Sequence, residues 1–371
     1  MINLFQPTAG DAELAAIRGA FASNWLGTGP RTAEFETAFA TYVGCPAGEF
    51  VAITSCTEGL FQAMAALDLG PGDEVVLPTI SFIGAAHAVH STGARIVLCD
   101  VDPLTLNPTV EHIADAITPA TKAVMLLHYG GGPGSIAEIA ALTTRLGVVL
   151  VEDAACSLGA FTDEVACGTF GDIGIWSFDS MKVMTTGDGG MLWCRDPAMA
   201  DRIRCAVRLG GATTGFSQRS RSSRWWELEP ERDGRRAAMN DLTAAMGLVQ
   251  LGRLPEFLDR RREIAVAYDA ALADLPWLVV PESQTRQTAR IFYWVQVPAG
   301  VRDRLATHLL ERDVYASFRY WPLHRTQMYR AAGPFPGADH AAEATLMLPL
   351  HQGLSDSEAA QVLAALRAFK P

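Results

Sequence analysis

The chain has no apolar run long enough to span a bilayer, no long acidic or basic tract, no low-complexity segment and no internal repeat. Those absences exclude a membrane span, a disordered interaction protein and a repeat scaffold. Its seven cysteines, an odd number at irregular intervals, give neither a disulfide framework nor paired CxxC zinc spacing. His87, His90, His112, His128, His308, His340 and His351 are dispersed without metal-ligand spacing, so no metal is expected. They read as structural or surface groups. Gly130-Gly131-Gly132 lacks the G-x-G-x-x-G order, which disfavours a nicotinamide dinucleotide enzyme. The N-terminus shows no basic region followed by an apolar stretch, so no signal peptide and a reducing, cytoplasmic setting are expected.

What is present is the composition of a folded enzyme. Hydrophobic residues make up 49% of the 371 and charged residues 19%. That length suits two lobes better than one core. The net charge of -11 disfavours nucleic acid or an anionic membrane as partner, while a local basic pocket could still bind a phosphorylated small molecule.

From residue 50 onward, short β-rich apolar runs alternate with helical periodicity. Strands are expected at 50–54, 74–77, 95–100, 122–128 and 147–152, with helices at 58–69, 82–92 and 134–146. This pattern predicts an α/β fold with a large, mostly parallel sheet covered by helices on both faces. Ligands in such folds gather at the carboxyl ends of the strands. Asn240 or Asp241 caps a long helical segment that Gly252 and Pro255 are expected to kink or divide. It leads toward a smaller C-terminal lobe with strands at 290–297 and 314–319 and a closing helix over 355–369, opened by Ser-Asp-Ser-Glu.

The chemistry concentrates after the strands. The apolar run Val148–Val151 ends in Glu152-Asp153, and Lys182 follows about thirty residues later among small and apolar neighbours. A lysine so placed should be partly desolvated and its pKa lowered toward the neutral amine, the form that condenses with an aldehyde. Pyridoxal 5′-phosphate needs such a lysine, a carboxylate on its ring nitrogen, neutral donors for its phosphate and a flat group on its ring. Asp153 can supply the carboxylate. Ser55-Cys56-Thr57-Glu58, between strand and helix, together with Ser177, can supply the donors, and Phe82 the flat group. Each taken alone is more commonly a helix cap or a core side chain; their order on one scaffold is what points to the cofactor.

These residues, together with Trp25-Leu26-Gly27-Thr28-Gly29-Pro30, Gly70-Pro71-Gly72-Asp73, Thr186-Gly187-Asp188-Gly189-Gly190, Arg319-Tyr320-Trp321-Pro322-Leu323-His324 and Leu348-Pro349-Leu350, resemble the DegT/DnrJ/EryC1/StrS sugar aminotransferases over essentially the whole length. The resemblance implies an aspartate-aminotransferase-like fold (fold type I), with a large cofactor lobe and N-terminal arm over 1–245 and a small C-terminal α+β lobe over 246–371. It also implies roles. Lys182 forms the Schiff base and Asp153 meets the pyridinium. Thr57, the Glu58 backbone and Ser177 hold the phosphate, Phe82 stacks on the ring, and Cys156 lies beside it. Asn240 would reach the neighbouring subunit's cofactor, which implies a homodimer with shared active sites. Trp25, Arg319 and His324 would stand on the substrate side. The implied reaction carries an amino group from L-glutamate, through pyridoxamine 5′-phosphate, to a nucleotide-linked 6-deoxysugar, at C4 by the nearest likeness. Another ring position, a carbocyclic ketone or a non-catalytic cofactor-binding regulator are the alternatives.

Three features depart from the family pattern or stand outside it. Cys56 replaces a glycine, which limits backbone approach to a phosphate, and Glu58 would repel the phosphate unless it points away. Cys156 stands where glutamine or histidine is usual, and a thiol is a poorer partner for a ring oxygen. The stretch 217–226 is locally basic, and Arg219 within it reads either as part of a solvated loop or as a ligand for the substrate diphosphate.

Overall fold

A computed structural model describes residues 1–211, 230–281 and 288–371. After an N-terminal arm come helices α1 (Asp11–Ala22) and α2 (Pro30–Val43), then strand β1 (Phe50–Ile53) and helix α3 (Cys56–Ala66). Next are β2 (Glu74–Pro78), α4 (Ile83–His90), β3 (Arg95–Cys99), α5 (Val110–Ala116), β4 (Thr121–Leu127), α6 (Ile136–Leu146) and β5 (Val149–Asp153). A two-stranded ribbon, β6 (Phe161–Thr162) and β7 (Val165–Ala166), precedes β8 (Ile173–Ser177), β9 (Gly190–Cys194) and α7 (Pro197–Ala206).

The large sheet has the order β1-β9-β8-β5-β4-β2-β3. Pairs β2–β3, β2–β4, β4–β5 and β5–β8 are parallel, and β9 runs against both of its neighbours. Strands β1, β2, β8 and β9 are buried at every residue, which explains why β1 and β2 read as apolar runs without alternation; β8 and β9 were not among the expected strands. Helix α3 lies close against the sheet because residue 59 is glycine: a Cβ there would stand 2.5 Å from Ile53 Cδ1 and 2.7 Å from Ile175 Cγ2.

The outer edge of β1 is paired by the segment 237–239. Thr54 N–H donates to the Ala237 carbonyl at 2.9 Å, and Met239 N–H donates to the Ala52 carbonyl at 3.0 Å. That segment runs straight into Asn240, the N-cap of α8 (Asp241–Leu272). α8 runs unbroken through Gly252 and Pro255, so neither residue divides it. Proline removes one backbone donor, but Leu251, Leu254, Phe257 and Leu258 are all buried around it and hold the helix together.

Helix α8 joins two cores. Ala244, Leu251, Leu254, Phe257 and Leu258 pack with the sheet lobe, while Ile264, Ala265, Tyr268 and Leu272 pack with the C-terminal elements. Those elements are β10 (Tyr293–Gln296), α9 (Arg302–Leu310), α10 (Pro336–Ala344), β11 (Thr345–Leu348) and α11 (Asp356–Ala368). β10 and β11 form an antiparallel pair. The Ser355–Glu358 capping box opens α11 as its sequence predicts. Residues 314–319, read as a strand, make only isolated bridges, because Val314 pairs with Ile2 of the arm while Ser317 pairs with Met347 of β11. With its partners split, no continuous ladder forms. Among the described residues no helix is long and apolar enough to cross a membrane.

Candidate active site

A cleft opens at the carboxyl ends of the parallel strands. β1 delivers Ser55, Cys56 and Thr57 to it, β2 delivers Phe82, β5 delivers Asp153, and β8 delivers Ser177 and, through the following loop, Lys182. The small lobe closes one side with Arg319 and Tyr320. The expected grouping of Lys182, Asp153, Thr57, Ser177 and Phe82 is therefore present in one place.

Asp153 is 1% exposed. Its Oδ1 accepts the Ala155 N–H at 3.1 Å and faces Cys56 Sγ at 3.8 Å, while its buried Oδ2 has no partner among the described residues. Burial pushes its pKa above the usual aspartate value, against the pull of the Lys182 charge. A buried carboxylate oxygen with no donor is costly. It fits a ligand that brings a ring N–H, above all a cationic one. Behind it His128 and Glu152, both fully buried, are joined at 2.7 Å, and Glu152 also takes the N–H groups of Gly168 and Gly171.

Lys182 Nζ lies 3.7 Å from Cys156 Sγ, which lies 3.7 Å from Tyr320 Oη. The expected fall in the Lys182 pKa is not what the site produces. Burial does pull it down, but the sulfurs of Cys156 and Cys56 and the carboxylates of Asp153 and Asp179 more than offset that, and the net direction is up. The sequence reading counted the apolar neighbours along the chain and missed the acidic groups that the fold brings in.

The cradle for an anion is the N-terminus of α3. Ser55 caps it, accepting the Glu58 N–H at 3.1 Å, and Ser55, Cys56 and Thr57 at this helix start line the cleft. Glu58 points away as expected: its carboxylate accepts from Gln62 Nε2 at 2.8 Å and pairs with Arg235 at 3.5 Å. The Cys56 side chain turns toward Asp153 and the Ile175 carbonyl, so its sulfur lies on the sheet side of the turn. Phe82 meets Tyr320 edge-on, ring centroids 5.9 Å apart. Gly84 makes room for that ring, since a Cβ there would lie 2.6 Å from Phe82 Cε1.

Other expected residues stand outside the cleft of a single chain. Asn240 caps α8 by accepting the Thr243 N–H at 3.0 Å. Trp25 is exposed and donates its indole N–H to the Thr28 carbonyl. His324 is tied down between Thr79 Oγ1 at 2.7 Å and Asp339 at 3.2 Å and stacks on Phe335. It is not among the residues that line the cleft of one chain. Arg319 does line the cleft, with Nη2 3.0 Å from Met181 Sδ and its guanidinium over Phe5. Arg219 lies outside the described residues.

Tyr320, Asp179 and Asp188 also line the cleft and were not singled out from the sequence. All three sit inside or beside motifs that carried the resemblance, so the signal was position within a motif. Nothing in their residue type marked them.

Residues 7–367 match the profile of the DegT/DnrJ/EryC1/StrS aminotransferase family. The chain is 50% identical over 361 residues to a dTDP-4-dehydro-2,3,6-trideoxy-D-glucose 4-aminotransferase of Saccharopolyspora spinosa, covering 96% of this chain and 94% of that one. The solved structure of the aminotransferase TlmJ from Streptoalloteichus hindustanus superposes with a TM-score of 0.94 at 53% identity, covering 99% of this chain and 98% of the other. Spr1654 from Streptococcus pneumoniae, solved in its PMP form, superposes at 0.90 with 25% identity over 98% of both chains. With the cleft geometry and these likenesses together, the chain belongs to the DegT/DnrJ/EryC1/StrS aminotransferase family.

Proposed function

We propose that this enzyme uses pyridoxal 5′-phosphate to move the amino group of L-glutamate onto the C4 keto group of a nucleotide-linked 6-deoxysugar. The observation that carries the reading is the pairing, in one cleft, of the Lys182 amine with the unpartnered buried Oδ2 of Asp153. The C4 position and the nucleotide sugar rest on the name of the 50% identical relative, and the glutamate donor on the family resemblance. The proposed division into a cofactor lobe, 1–245, and a smaller lobe, 246–371, falls within α8, whose residues up to Leu258 still pack with the sheet lobe.

When bound, the cofactor supplies an electron sink and a carrier for the amino group. Lys182 Nζ would hold its aldehyde, and the free amine would be placed to move the proton at the reacting carbon. Asp153 Oδ2 keeps a proton on the ring nitrogen. Asp153, paired with a cationic ring nitrogen, would favour the Lys182 ammonium less than it does alone. The N-terminus of α3, Thr57 and Ser177 receive the phosphate, and Phe82 covers the ring. The second half of the reaction uses the same groups in reverse.

A panel of 4-keto and 3-keto nucleotide sugars and a carbocyclic ketone, each incubated with glutamate and analysed by mass spectrometry and NMR, tests the assignment. The expected outcome is an amine at C4 with release of 2-oxoglutarate. Turnover of the 3-keto sugar or the carbocycle instead would replace the substrate assignment. Cofactor binding with no amino transfer from any amino acid would make the protein a non-catalytic binder.

We also propose a homodimer with shared sites. Leu14, Phe21, Trp25 and Leu26, in and just after α1, are exposed apolar side chains suited to cover by a second subunit. As a helix cap alone, Asn240 is worth about 1 kcal/mol. In the shared-site reading, Asn240→Ala lowers cofactor affinity more than it lowers the melting temperature of the cofactor-free protein. Heterodimers of Lys182→Ala with Asn240→Ala subunits then carry both defects in one site and neither in the other. Activity approaching half of wild type is expected. No recovery in verified heterodimers would leave Asn240 as a cap.

A further inference from the structure

The loop 179–189 that carries Lys182 is held from behind by two glutamines that no chemical motif marks. Gln250 of α8, fully buried, accepts the Thr185 N–H at 3.1 Å and donates to the Thr8 carbonyl at 2.8 Å and Glu13 at 2.7 Å. Gln352, just past β11, donates its Nε2–H to the carbonyl of Val183, next to Lys182, at 2.9 Å. Its Oε1 accepts from Arg261 Nε at 2.9 Å. Arg261 is fully buried, and its guanidinium bonds are to neutral acceptors: Gln352 and the carbonyls of Arg290, Ile291 and Leu350 at 3.1 to 3.3 Å. Burial pulls that guanidinium down to about 9. A buried cation with four fixed acceptors on two chain segments is a rigid anchor, since moving any of them strands a charge-assisted bond.

We propose that Gln352 is a positioning residue for Lys182: it transmits the fixed place of Arg261, where the two cores meet, to the backbone beside the lysine. The inference deepens the reading that Lys182 holds the cofactor aldehyde, and it rests on that reading. Its physical content is that the lysine reaches the aldehyde and withdraws by rotation of its side chain while its backbone stays in place. An amine offset by a fraction of an ångström reacts more slowly even when every reacting group is present.

Gln352→Glu separates this role from the plain one of satisfying Arg261. A carboxylate keeps the acceptor for Arg261 and adds an opposite charge, but it has no N–H for the Val183 carbonyl. The melting temperature should therefore stay at or above that of wild type. Two readouts should change all the same. Amide hydrogen exchange over 183–187 in the cofactor-free protein should become faster. The rate at which added pyridoxal 5′-phosphate becomes borohydride-trapped on Lys182 should fall on the order of tenfold to a hundredfold. Gln352→Leu should show the same trapping defect with a lower melting temperature. Wild-type exchange and trapping rates in Gln352→Glu would overturn the proposal and leave Gln352 as a partner for Arg261 alone. If the trapped cofactor maps to another lysine, the assignment of Lys182 fails, and the exchange measurement still decides whether Gln352 holds the loop.

Discussion

Lys182→Ala should lose turnover by at least roughly 10³-fold, the scale of removing a positioned acid–base group, and lose the nucleophile as well. The chain has only three lysines, Lys122, Lys182 and Lys370. Lys122 and Lys370 are exposed, at the start of β4 and near the C-terminus, and Lys182 alone lines the cleft. Borohydride reduction of the cofactor-loaded protein followed by peptide mapping therefore has a simple expected result: one modified peptide, containing Lys182, and none in the Lys182→Ala variant. A reducible adduct persisting in that variant would remove the assignment.

Asp153→Asn should act in opposite directions on stability and on chemistry. In the cofactor-free protein, a buried carboxylate with an unpartnered oxygen and a raised pKa works against folding. The sign follows from linkage. The folded state binds the Asp153 proton more tightly than the unfolded state, so this cost is absent below the ordinary aspartate range. It grows as pH rises toward the raised folded value and stays constant above it. The asparagine variant should therefore match wild type in melting temperature at low pH and equal or exceed it near neutrality. Chemistry should suffer. Without a charged partner on the ring nitrogen, single-turnover proton transfer with glutamate should slow by the equivalent of roughly 2–4 kcal/mol. Near-wild-type single-turnover rates would take Asp153 out of its role, and a marked loss of cofactor-free stability would contradict the strain argued here.

Much of this architecture was legible because β1, β2 and nearly all of β4 and β5 are buried on both faces and therefore read as short apolar runs ended by turn residues. Asp153 and Lys182 were legible for the same reason: each breaks such a pattern near a strand's end. The failures share a different cause. Gly252 and Pro255 are local helix-breaking signals, overridden in α8 by buried neighbours on both cores. Residues 314–319 have strand-like composition, but their backbone partners belong to two separate segments. The direction of the Lys182 pKa depends on Asp153 and on two thiols, one of them more than a hundred positions away. Gln250 and Gln352 carry no chemistry of their own, so only tertiary hydrogen bonds reveal them.

The strip 237–239 along β1 has a consequence for the fate of damaged molecules. A sheet edge left open presents a row of unpaired amides and carbonyls, a template for another chain. Here the strip that closes this edge also ends at Asn240, where α8 starts. Local opening of the strip would therefore uncover an adhesive strand and unseat the helix start in one event. Substitutions that loosen 237–239 should thus raise aggregation and lower cofactor retention together, even though none of the three side chains lines the cleft. Light scattering and cofactor release followed in parallel during mild heating should rise on the same curve.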